Sequence, residues 1–145
     1  MKTGSKLMIA LAVLLVVTVG VALFNGMFKN PQPRLSTPEF LNQLVAEANP
    51  KLPVAVDADD RMDKVAVGPG NVLIYYYTLP RITKSQLGNL PVVQKNVRQT
   101  LLQNYKTSTT VQMQSLRLRE VVLDYQYKDK NGDFIFEITI TPRDF

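Results

Sequence analysis

The sequence predicts an α+β protein: an N-terminal transmembrane helix, then a four-stranded antiparallel sheet with two helices in the order α-β-β-α-β-β. Three observations predict it. Residues 7–24 read LMIALAVLLVVTVGVALF, without a single charge. Two pairs of strand-like runs each enclose a glycine-containing turn, and two stretches with apolar residues at helical spacing precede and separate those pairs. Two hairpins joined through a helix suggest one antiparallel sheet with its helices on one face.

The apolar run sets the first element. With Asn25 to Phe28 it lies between Lys6 and Lys29, and about twenty residues at 1.5 Å each match a hydrocarbon core of about 30 Å. It has no polar face to show to water, so a soluble domain of this size has no place for it. Residues 1–28 are therefore read as an anchor. A cleaved signal peptide is the competing reading: Gly20-Val21-Ala22 has small residues at peptidase spacing, but it lacks a polar region before it. Lys2, Lys6 and the free amino group face no acid, whereas Glu39 dilutes Lys29 and Arg34 beyond the span. The positive-inside bias then puts the N-terminus in the cytoplasm and the rest outside the inner membrane.

Residues 29–36 form a linker stiffened by Pro31 and Pro33, and residues 37–145 form the domain. Thr37-Pro38-Glu39 supplies a capping hydroxyl, an early proline and an acid for a helix with Phe40, Leu41, Leu44, Val45 and Ala48 on one stripe, ended by Asn49-Pro50. Strands over 61–67 and 72–79 flank Gly68-Pro69-Gly70-Asn71. A second helix over 89–106, capped by Asn89, turns Leu90, Val93, Val97, Leu101 and Tyr105 inward. Residues 107–115 are polar and weakly patterned, which reads as a loop with one helical turn. Val121, Leu123, Tyr125 and Tyr127 then alternate with Val122, Asp124, Gln126 and Lys128, and Phe134, Phe136, Ile138 and Ile140 with Ile135, Glu137, Thr139 and Thr141. Asn131-Gly132 between them predicts a type I′ hairpin, in which both turn residues have positive φ.

Composition limits the chemistry. Cysteine and histidine are absent, which removes thiol nucleophiles, disulfides, thiolate metal sites and the usual general base at neutral pH. The net charge is +5, and two of those charges, Lys2 and Lys6, precede the apolar run. The mildly basic remainder, with no long Lys/Arg run, does not predict nucleic acid as a partner. No phosphate loop, nucleophile elbow or metal triad occurs, so neither catalytic residues, a cofactor nor a metal is expected.

The soluble part resembles a family of small bacterial envelope proteins. The shared residues are Pro53-Val54-Ala55-Val56-Asp57, the turn at 68–71 leading into Tyr75 to Leu79, and a terminal hairpin from Tyr125 to Gly132 that ends Thr141-Pro142-Arg143-Asp144. The resemblance covers roughly residues 37–145. It implies an envelope location and an α+β fold, and it implies no reaction. Family members carry one cysteine after the second helix and another at the C-terminus; Phe145 ends this chain and residues 104–116 contain no cysteine.

Three clusters are candidates for a site. Asp57, Asp59, Asp60 and Asp63 are close in sequence, but Arg61 and Met62 fall where an EF-type loop needs a ligand and a glycine. Asp129, Asn131 and Asp133 imitate D-x-N-x-D, with Phe134 where the loop needs its glycine and Ile140 where it needs its last ligand. The acidic loop and the hairpin account for both. Tyr75, Tyr77, Tyr125 and Tyr127, with Tyr76 beside them, contribute to the core or, if one sheet face is bare, form an aromatic surface; the first four are the candidate partner surface. The expected function is a non-enzymatic accessory subunit of a bacterial envelope complex, with the lipid bilayer and a protein as partners. The alternative is a ligand-binding or sensory domain that uses a tyrosine-rich sheet face.

Overall fold

A computed structural model describes residues 35–55 and 60–145. The expected transmembrane helix and most of the linker lie outside the described residues, and among the latter no helix is long and apolar enough to cross a membrane.

The domain is α+β, with three helices against one face of a five-stranded sheet. Helix α1 spans Thr37–Ala48. Strands β1, Val54–Ala55, β2, Arg61–Gly68, and β3, Val72–Thr78, follow. Helices α2, Leu90–Thr107, and α3, Val111–Leu118, lead to β4, Val122–Lys128, and β5, Phe134–Ile140. The strands lie in sequence order, and all pairings are antiparallel except β3 with β4, which is parallel. The expected four-stranded, all-antiparallel sheet with two helices is thus corrected to a five-stranded mixed sheet with three. The reason is geometric. After β3, helix α2 runs back for about 27 Å, so the chain re-enters the sheet at the end where β3 began, and such a return makes the next strand parallel.

Local chemistry explains the elements. Ser36, rather than Thr37, caps α1: its Oγ accepts from the Glu39 N–H at 3.3 Å while the Glu39 carboxylate accepts from the Ser36 N–H at 3.0 Å. That second bond holds the Glu39 carboxyl below its usual range. Asn89 caps α2 as expected. Thr110 caps α3, a full helix where a loop with one turn was expected. Its inner face carries the polar Gln112 and Ser115 beside Met113 and Leu116, which blurs the apolar period. Helix α3 ends on Glu120 at φ 54, where Val121 N–H donates to Leu116 C=O at 3.0 Å. This left-handed cap is one that glycine usually supplies.

The two hairpins also differ from the simplest expectation. At 69–71, both Gly70 and Asn71 have positive φ. In the second hairpin Gly132 alone does, and Gly132 N–H donates to Asp129 C=O at 3.0 Å. That is a three-residue arrangement rather than the expected type I′ turn. A bulge then shifts the β5 register between Phe134, opposite Lys128, and Phe136, opposite Tyr127. Ile135 turns into the core and Phe134, 51% exposed, turns out, reversing the expected alternation at that end.

The core joins Phe40, Leu41 and Leu44 of α1, Val97 and Leu101 of α2 and Leu116 of α3 to the inner sheet face. Helix α1 lies against β2 and α2 against β5. The C-terminal segment is held by the Phe145 ring, edge-on to Tyr105 at 5.2 Å, and by Arg98 paired with Asp144 at 3.1 Å. These contacts tie the chain end to α2.

Candidate interaction surface

Strand alternation and parallel register together decide where each tyrosine points. Tyr75 stands opposite Tyr125, and Tyr77 opposite Tyr127. All four rings face the helices and are buried, between 0% and 5% exposed. They form a near-parallel stack, with centroids 4.8 Å apart for Tyr75–Tyr125 and 5.2 Å for Tyr77–Tyr127. Burial pushes all four phenols above their ordinary range, so they stay neutral. The expectation of a partner surface at Tyr75, Tyr77, Tyr125 and Tyr127 is therefore corrected. A large ring gains most by leaving water, and the covered side of the sheet is where these four leave it.

The opposite face is built from the alternate residues. Register places Lys64, Tyr76, Gln126 and Glu137 in one row across it, and Ala66, Ile74, Asp124 and Thr139 in the next. Toward the first hairpin the row is Gly68, Val72 and Val122. Most of these side chains are half-buried or exposed, and no described helix packs on them. The Lys64 ammonium sits 4.6 Å above the Tyr76 ring, an attraction of about 0.5–1 kcal/mol at an exposed site. Tyr76 and, opposite Lys128, the outward-turned Phe134 are the aromatic residues on this side of the sheet. Period-two alternation already separates Tyr76 from Tyr75 and Tyr77, but only the helix packing tells which side is bare.

Asp124 is the buried acid of this face, 8% exposed. It accepts from the Thr139 hydroxyl and the Gln126 amide, each at 3.3 Å. Desolvation, then the Asp124 charge and a hydrogen bond to Asp124, raise the Glu137 carboxyl above its usual range. The two acids share a surface network with Thr139 and Gln126.

The remaining candidates have structural roles. Asp129, 1% exposed, accepts backbone N–H groups of Lys84, Asn131 and Asp133, each at 2.9 Å. The Lys84 bond, foremost, holds its carboxyl below the usual range. Asn131 and Asp133 give it amides rather than side-chain oxygens, so the D-x-N-x-D pattern organises the hairpin. Asp57 and Asp59 lie outside the described residues; Asp60 is buried, and Asp63 pairs with Arg61 and accepts from Thr78. Among the described residues no three His, Cys, Asp or Glu side chains form a group able to hold a metal ion.

The sheet edges are occupied as well. Asn49 gives its amide to Val65 C=O at 3.0 Å and takes Val65 N–H at 2.9 Å, filling in where the two-residue β1 leaves β2 open. At the other edge Gln94 donates to Glu137 C=O at 2.9 Å. Both amides stand where a foreign strand would pair.

No family model matches the chain, and no curated protein matches it in sequence. Among solved structures it is similar to the crystal structure of a Pseudomonas aeruginosa protein thought to be secreted, with a TM-score of 0.59 and 19% identity over 72% of this chain and 88% of the other. At that identity the likeness is one of fold.

Proposed function

We propose that the chain is a non-enzymatic accessory protein of a bacterial envelope complex, acting by contact through the bare sheet face around Tyr76. Residues 1–28 hold it in the inner membrane with the N-terminus in the cytoplasm, and the domain lies outside. The observation that carries this reading is the open face: a row of Lys64, Tyr76, Gln126 and Glu137 without a covering helix, beside edges that are already occupied. A half-buried tyrosine with charged residues around it fits a contact surface, in which aromatics are enriched at the centre and the rim is polar. The uncharged run at 7–24 supports the anchor. A protein of the same fold that is thought to be secreted supports an extracytoplasmic setting.

The ligand-binding alternative rested on a tyrosine-rich face. Its four tyrosines are stacked within the core, so this reading takes no surface from them.

A photo-crosslinking residue at Tyr76, in full-length protein in native membranes, should capture one discrete protein. The same residue at exposed Gln99 on α2 should not, and Ile74→Asp should abolish the capture while the protein stays in the membrane. Equal capture from Tyr76 and Gln99, or none from either, refutes the proposal.

A further inference from the structure

The tether leaves the domain at the end where β3 and β4 begin, and apolar side chains gather there. On the open face Ala66, Val72, Ile74 and Val122 cluster toward the end where β3 and β4 begin. Val67, 36% exposed, lies one residue before the end of β2 there, and Leu118, 83% exposed, ends α3 just before β4. The other end carries the exposed Lys84, Lys128 and Lys130 together with Phe134.

Arginines make the apolar end rigid. Arg117 donates to Tyr105 C=O at 2.8 Å and Ser108 C=O at 2.6 Å, fastening α3 to the end of α2. Arg119 donates to Leu35 C=O at 2.8 Å, and its guanidinium lies 4.5 Å from the Phe40 ring. Leu35, where the linker joins the domain, is therefore fixed beside the α3 terminus. Between Phe28, the end of the apolar segment, and Leu35 the chain spans at most about 25 Å. That is about the length of one seven-residue strand of this sheet.

We infer that this end of the domain rests on the phospholipid surface that holds the anchor, with Leu118 inserted among the headgroups. A large apolar side chain left 83% exposed beside the point where the tether joins is what interfacial segments offer to phospholipid. The sheet then stands upright on the bilayer, with its open face turned sideways toward neighbours in the membrane. This inference rests on the anchoring proposed above, and the experiment separates the two.

The chain has no cysteine, so single-cysteine labelling is clean. Full-length Leu118→Cys, Val92→Cys and Leu14→Cys, each carrying an environment-sensitive fluorophore, are reconstituted in phosphatidylethanolamine–phosphatidylglycerol vesicles. Parallel vesicles contain lipid brominated near the headgroup or at mid-chain. Leu118 should show a blue shift and loss of intensity with headgroup-brominated lipid; Val92, 51% exposed at the start of α2, should show neither. Leu14 should lose intensity with mid-chain bromine. A quenched Leu14 beside a Leu118 that matches Val92 overturns the seating alone. An unquenched Leu14 overturns the anchor and the seating with it.

Discussion

Adjacent tyrosines on β3 test the assignment of faces. Tyr75→Ala removes a ring 5% exposed that stacks on Tyr125 at 4.8 Å and Tyr77 at 6.5 Å. Truncating a buried aromatic costs about 3–5 kcal/mol through lost transfer energy and the cavity left behind, and each lost ring pair contributes about 0.5–1.5 kcal/mol within that total. Tyr76→Ala removes a half-buried ring, the contact with Lys64 and cross-strand neighbours, together about 1 kcal/mol. Against a total stability of roughly 5–15 kcal/mol, the first change removes a large share of it and the second a small one. The chain has no tryptophan, so near-ultraviolet dichroism reports the tyrosine stack directly. Urea titrations followed in that band should show a much lower midpoint for Tyr75→Ala and a near-native one for Tyr76→Ala. Equal losses would mean that the face called open is covered, and the case for a contact surface there would fail.

Asn49→Ala should cost about 2 kcal/mol, because it strips both hydrogen bonds from the Val65 backbone; a urea midpoint equal to that of the exposed-site control Gln43→Ala would refute the role given to it at the edge. Glu137 has a raised carboxyl in the folded state, so its stabilising effect is full below the unfolded value and fades as pH rises through the folded one. Glu137→Gln should therefore raise the melting temperature at neutral pH relative to the parent, with the advantage vanishing in acid below the ordinary carboxylate range. A difference between the two that does not change with pH would contradict the coupling to Asp124.

Much of the fold was legible in local chemistry. Apolar period and caps located α1 and α2, alternation located β2 to β5, and Gly70 and Gly132 marked both turns. Helix α3 was hidden because Gln112 and Ser115 occupy buried positions that a hydrophobic pattern cannot register. Strand β1 was hidden because two residues are too few for a period, and the β5 bulge because a register shift leaves no mark on composition. The candidate surface is half legible: alternation splits Tyr76 from Tyr75 and Tyr77, and helix packing buries the latter two.

The sequence by itself determined the chemistry that is missing, an uncharged N-terminal run of membrane length, and which residues share a strand face. Those follow from residue identity and from the fixed periods of helix and strand. Only the tertiary structure decided that β3 and β4 run parallel, that this register stacks four tyrosines in one core, and that Tyr76 lies on the bare side. Which face is buried depends on where the helices return to pack, and that is a property of the whole chain rather than of any segment.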